Sequence, residues 1–256
     1  MTIKKTKTLK KTIFLTIAAG SGIFAFLHSP FQGYAGGYAG PSYLYSISLK
    51  QSSSVAPDHT ENYILRVSGA QKDDNREELT QGAKNFIKNV SDRGLQFLGD
   101  ESLSFQERKR RFRELLIDSF DIRTIGRFVL GRYWRKATSE QRQEYLDLFQ
   151  KMIVAVYSQR FDEYSGQELK IVSARPEGRR DVIVTTNIVS PEGPDVVVRW
   201  RIRYSDNTYK IIDVIIEGVS MLVTQRSDFA AVIQRGGGEV EVLLEHMRER
   251  VSGQPG

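Results

Sequence analysis

Asp213, Glu217, Ser220 and Arg226 are the side chains of this 256-residue chain whose types and spacing come nearest to chemistry. All four fall within residues 204–226. There a polar turn, Ser205-Asp206-Asn207, leads into an apolar, β-branched run over 208–216 that Gly218 then breaks. This pattern predicts a strand that feeds directly into a helix, with Ser220 as its N-cap and Phe229 and Ile233 further along it. A carboxylate inside an apolar run needs a partner. Paired with Arg226 or Lys210, it is structural. With a pKa raised by burial, Asp213 or Glu217 becomes the general base of a small-molecule enzyme. As a general-base pattern this is weak, because residues four apart share a face only if the strand stays regular through Ile216.

Other catalytic constellations are missing from the sequence. The three histidines, His28, His59 and His246, are too scattered for a serine–histidine–acid set or a metal cluster within one core. There is no cysteine, which excludes disulfides and thiol chemistry. The triple glycine at 236–238 lacks the Lys-Ser or Lys-Thr of a phosphate loop and reads as a connector. The net charge of +6 is no nucleic-acid footprint either. Five of the 37 basic residues lie among the first 35 residues, which contain no acid, and the rest of the chain is nearly neutral.

Those first 35 residues have the form of a secretory signal peptide. Five lysines precede an apolar run over 13–27, and small residues follow at 33–35 and 37–39. The run is short for a membrane span; an uncleaved anchor is the alternative, and both readings export the bulk of the protein. Residues 36–73, with a doubled GYAG and a serine-rich stretch, read as a flexible lead-in, in which 43–49 and 63–67 are short strand candidates without partners. Residues 74–252 form the folded domain.

Helical spacing begins at Arg76, with Leu79, Ala83, Phe86, Ile87 and Val90 on one stripe. Ser104 and Glu107 spell a capping box for a second helix, and Asp121 caps a third that Gly131 ends. The basic residues between 108 and 136 are either a solvated helical face or a surface drawn to anionic headgroups or an acidic partner, at about 1 kcal/mol per side chain near a charged membrane. Thr138 or Ser139 starts a helix to about residue 164, expected to be the longest. Its apolar arc, from Tyr145, Phe149, Met152 and Val156 round to Ile153, Tyr157, Phe161 and Tyr164, needs two covering surfaces. Burial between sheet and helix explains that arc as well as an apolar cavity does.

Four strands follow, over 168–174, 181–189, 195–204 and 208–216, joined by short turns that imply an antiparallel meander. In the third, Val196, Val198, Trp200, Ile202 and Tyr204 alternate with Arg199, Arg201 and Arg203, so one face is dry and one wet. The fold class is therefore α+β: helices packed on one face of a curved antiparallel sheet of about four strands, enclosing an apolar pocket.

Two stretches carry a family resemblance. VLGRYWRKATSEQRQEYLDLF holds Leu130, Gly131, Trp134, Ala137, Thr138, Gln141 and Arg142; YKIIDVIIEGVSMLVTQRSDF holds Tyr209, Lys210, Asp213, Val214, Glu217, Gly218, Val219, Ser220, Arg226 and Phe229. In this order and spacing they resemble the MlaC family, also called the toluene-tolerance family of periplasmic phospholipid-binding proteins, over roughly residues 74–250. Tyr209 stands where tryptophan is common in the family. The resemblance implies a non-enzymatic periplasmic carrier with phospholipid as its ligand and no cofactor. It would pass lipid between an outer-membrane lipoprotein complex and an inner-membrane MCE-type ABC transporter complex. Acyl chains would lie in a cavity whose expected lining is Tyr133, Trp134, Tyr157, Phe161, Val184, Val198, Trp200, Ile202, Val214, Ile216 and Met221, residues that serve equally well as ordinary core. A non-catalytic envelope interaction protein would share the leader but have a filled core.

Overall fold

Turn chemistry sets the sheet. The computed structural model describes residues 59–191 and 193–252, with side chains from Asn75 onward. Strands β1 (Glu168–Glu177), β2 (Asp181–Val189), β3 (Val196–Ser205) and β4 (Thr208–Ile216) form the expected antiparallel meander, and a two-residue strand β5 (Val219–Ser220), which the sequence did not announce, pairs with β4. Asp206 and Asn207 take φ of 50° and 58°, the left-handed pair that a two-residue hairpin turn demands. Glu217 and Gly218, at φ 47° and 86°, make the equivalent turn into β5.

Two bulges shape the sheet. In β1 the register shifts between Ile171 and Ser173, turning Val172 out to 58 % exposure. In β4, Ile202 pairs with Ile211 but Arg201 pairs with Asp213, so Ile212 is the extra residue. On the wet face Arg201 and Arg203 converge on Asp181, a carboxylate only 5 % exposed, with Nε donors at 3.0 and 2.8 Å. Burial pushes the Asp181 carboxyl up, but the hydrogen bonds from Arg203 and Arg201 outweigh it and hold the group below its usual range.

Six helices complete the described chain. Helix α1 (His59–Leu98) is the longest at 40 residues, not the helix expected after Thr138, and its first turns lie in the segment read as lead-in. Residues 63–67 are therefore helical; the other strand candidate, 43–49, lies outside the described residues, as does the leader. Helix α2 (Phe105–Ser119) has Ser104 accepting from the Glu107 N–H, but the box is half-made, because the Glu107 carboxylate accepts from Arg110 and Arg111 instead of reaching back. This pairing and the Arg108–Asp162 contact of 3.5 Å absorb part of the basic run.

Asp121 caps α3 (Ile122–Leu130) by accepting from Thr124 N–H. Gly131, at φ 58°, ends α3 and opens a 3₁₀ turn, Gly131–Arg135. Thr138 and Gln141 form a complete capping box for α4 (Ser139–Ser158), after which a second 3₁₀ turn, Phe161–Glu163, leads into the sheet. Helices α5 (Met221–Arg235) and α6 (Val240–Ser252) close the fold. No described helix is long and apolar enough to cross a membrane.

The wide apolar arc of α4 is used on both sides. Tyr145, Leu148 and Phe149 join Phe229 and Ile233 of α5 and Leu243, Leu244 and Met247 of α6 in one packed core. Arg248 bonds Glu144 and Glu241 over that core, tying α6 to α4. The other side of the arc faces the sheet.

Candidate functional site

Between the sheet's dry face and helices α1 to α4 lies a cavity of about 510 Å³. Its floor is strand: Ile188 of β2, Val196, Val198 and Trp200 of β3, and Val214 and Ile216 of β4. Over it stand Val90, Leu95 and Leu98 of α1, Phe112, Leu115 and Leu116 of α2, Ile122 and Ile125 of α3, and Met152, Ile153, Val156 and Tyr157 of α4. Met221 and Leu222 of α5 complete the lining together with Gln225. Trp200 shows how the wall stays apolar. Its indole Nε1–H donates to Thr186 Oγ1 at 2.9 Å, and that hydroxyl donates to Val198 O at 3.2 Å, so the polar edge is satisfied within the sheet. The Tyr157 hydroxyl is pushed up in pKa by burial and stays neutral.

Of the expected lining, Tyr157, Phe161, Val198, Trp200, Val214, Ile216 and Met221 are in the wall. Four residues are not. Val184 and Ile202 share the dry face with Trp200 but lie under α1, packed with Ala83 and Ile87. The small side chain at Ala83 lets α1 close onto that half of the sheet and leaves no space. Tyr133 is buried in the helical core, and Trp134 packs edge-on to Tyr145 at 6.5 Å with the Arg142 guanidinium over its ring at 5.5 Å. The sequence reading omitted the α1, α2 and α3 contributions. Their apolar stripes were visible, but periodicity does not say whether a stripe meets a neighbour or a space.

The strand-to-helix joint resolves differently from either expected pairing. Asp213 bonds neither Arg226 nor Lys210. Its Oδ2 accepts from Ser220 Oγ at 2.7 Å and its Oδ1 from the Leu222 N–H at 3.2 Å, while Ser220 Oγ accepts from the Val223 N–H at 3.1 Å. The carboxylate thus ties down the N-terminus of α5, where orphan amides and the helix dipole favour an anion. Burial raises its pKa, opposed by those hydrogen bonds. Lys210 Nζ instead donates to the carbonyls of Ile117 and Asp118, and the Arg226 guanidinium lies over the Phe128 ring at 4.9 Å.

Glu217 has turned away from Asp213. Its Oε1 accepts from the Val197 N–H at 2.6 Å and its own N–H donates to Val197 O at 3.0 Å, which locks the β4–β5 turn to the start of β3. The strand does not stay regular, so the two carboxylates do not converge on one pocket. No group of metal-ligating side chains occurs among the described residues.

The two motif stretches meet in space beside the cavity. A side chain at Gly131 would run into the Arg226 guanidinium, and Phe229 packs edge-on against Tyr145 and Phe149 at 6.1 Å from each. A family model described as MlaC protein matches residues 88–249, which takes in the whole cavity wall except Ile87. The chain belongs to the MlaC family. It is similar to the intermembrane phospholipid transport system binding protein MlaC of Haemophilus influenzae, at 26 % identity over 141 residues, 54 % of this chain and 65 % of that protein. It is also similar to the toluene tolerance protein ttg2D of Pseudomonas putida, at 24 % identity over 114 residues, 44 % of this chain and 53 % of that protein. The matches thus span less than two thirds of either relative's length. A solved structure of a phospholipid-binding protein from Ralstonia solanacearum, in complex with a phospholipid, superposes with a TM-score of 0.60 at 25 % identity, covering 66 % of this chain and 96 % of that one. The α+β fold of this MlaC-family chain is therefore shared with a phospholipid-binding protein.

Proposed function

We propose that this protein is a periplasmic phospholipid carrier. It holds acyl chains in the cavity with the headgroup outside, and it shuttles lipid between an outer-membrane lipoprotein complex and an inner-membrane MCE-type ABC transporter complex after export directed by residues 1–35. The observation that carries the reading is the cavity, apolar on nearly every side, in a chain whose fold matches a protein solved with a phospholipid. A volume near 510 Å³ is within the ~300–1,000 Å³ of small-molecule sites. Each methylene moved out of water gains about 0.8 kcal/mol, so an acyl chain of about fifteen methylenes gains about 12 kcal/mol. A lipid cannot leave a bilayer at a useful rate without such a shelter. No covalent step and no cofactor are needed.

The cavity speaks against a purely structural envelope protein with a filled core. An enzyme has less support, because the Asp213 oxygens are both engaged by donors and Glu217 is held by Val197. Native mass spectrometry of the exported protein, followed by lipid extraction, tests the proposal. About one phospholipid per protein is the expected result. A bare protein that also takes up no phospholipid from vesicles overturns it.

A further inference from the structure

Just past its first turn, α5 turns a polar group into the cavity that the rest of the protein leaves unused. Met221, Leu222 and Gln225 line the cavity together, because residues three and four apart share one face of a helix. Gln225 is only 6 % exposed, and its side-chain amide makes no hydrogen bond among the described residues. The amide is not sealed into the packing either; it remains open to the cavity that it lines. A carboxamide brings two N–H donors, and leaving them buried without an acceptor is costly. Such a group calls for an acceptor from outside the chain.

The neighbouring wall residue narrows what that acceptor can be. Asp213 also lines the cavity, but its two oxygens are taken by the Ser220 hydroxyl and by the Leu222 N–H, which stands three residues, or about 4.5 Å of helix rise, before Gln225. Its negative charge at this corner disfavours an anionic acceptor, whether a phosphate or the carboxylate of a free fatty acid. A neutral carbonyl oxygen meets no such repulsion. In a phospholipid that oxygen belongs to the ester at the head of each acyl chain, on the chain side of the phosphate. The terminal torsion of a glutamine is broad and two-fold, so the N–H₂ end can be turned to an ester that enters with its chain.

We propose that Gln225 is an ester-binding residue of the cavity: its side-chain amide donates to the carbonyl oxygen of an acyl ester, and the protein thereby selects ester-linked over ether-linked chains. This rests on the carrier reading and deepens it, with the phosphate and headgroup still outside. An ether-linked lipid of the same headgroup and chain length fills the same apolar space but has no carbonyl, so the amide stays unpaired beneath it.

The test loads the protein from vesicles of equal parts diester and diether phosphatidylethanolamine with matched chains, then compares bound lipid with vesicle lipid by extraction and mass spectrometry. The wild type is expected to enrich the diester about fivefold, the size of one neutral hydrogen bond. Gln225→Met and Gln225→Leu keep the bulk and remove the donors; their bound mixture is expected to approach that of the vesicles. Because neither loses a bond within the protein, neither should unfold earlier in urea than the wild type. Ser227→Ala removes an exposed hydroxyl of the same helix, which donates to Val223 O, and it is expected to keep the wild-type preference. With a diester carrying ¹³C at its carbonyls, the infrared carbonyl band should lie at lower wavenumber in the wild-type complex than in the Gln225→Met complex. Loading without linkage preference in the wild type, an equal loss in Ser227→Ala, or a marked fall in the urea midpoint of both Gln225 variants overturns the ester site and leaves the carrier reading standing. Absence of any phospholipid in all four proteins overturns both.

Discussion

Ser220→Ala removes two bonds with one oxygen. The hydroxyl donates to Asp213 at 2.7 Å and accepts from the Val223 N–H at 3.1 Å, so the change deletes the N-cap of α5 and strips the half-buried carboxylate of its shorter partner. Losing an N-cap costs about 1 kcal/mol, and losing a hydrogen bond to a charged group about 1.5–3 kcal/mol. Partial solvent access at the joint favours the lower end, for a total of about 2.5 kcal/mol. For a domain of this size that is a fall of roughly 5–10 °C in Tm. The assay is urea unfolding followed by far-ultraviolet circular dichroism, repeated on Asp213→Ala and on the double variant. The two residues share one bond, so the double variant should lose about 1.5–2 kcal/mol less than the sum of the singles. A loss under about 0.5 kcal/mol in Ser220→Ala, or strict additivity in the cycle, would refute the claim that this pair anchors α5.

Two further outcomes follow from the same contacts. Val156→Trp puts a large apolar group into the cavity from α4; because space exists there it should leave the unfolding midpoint within about 1 kcal/mol of wild type while lowering phospholipid per protein several-fold, read by lipid extraction. The depressed pKa of Asp181 means that its stabilisation is fully present above the unfolded value near 3.9 and is lost as pH falls through the lower folded value. Asp181→Asn should therefore cost about 2 kcal/mol at neutral pH, with the gap to wild type closing in urea titrations at the acid end.

The sheet was legible because its signals are local. Asp206-Asn207 names a tight turn, and the Val–Arg alternation of β3 names its two faces; Thr138, Asp121 and Ser220 each cap the helix that their position announced. What depended on distance was harder. Val184 and Ile202 look identical to Val198 and Trp200 in sequence, and only the approach of α1 at Ala83 decides which pair faces a partner and which faces the cavity. Asp213 was visibly in need of a partner, but the sequence offers cations first, whereas the fold supplies a hydroxyl and a helix amide. The motif residues Gly131, Trp134, Arg226 and Phe229 carried the family resemblance, yet they build the packing beside the cavity and none of them lines it.

The bulge at Val172 bears on how the protein survives at high concentration. β1 is a terminal strand of the sheet, with β2 as its partner. A flat terminal strand is a template on which another copy can grow a ladder, ending in aggregates. Here the extra residue twists the strand out of register with any incoming chain, and Pro176 further along lacks the N–H that a new ladder requires. The opposite side is shielded too: Phe120 bridges to Ile211, Asp121 N–H donates to Ile211 O at 3.0 Å, and β5 pairs with Ile215 and Ile216 at the strand's end. Both margins of the sheet are thereby blunted against self-templating.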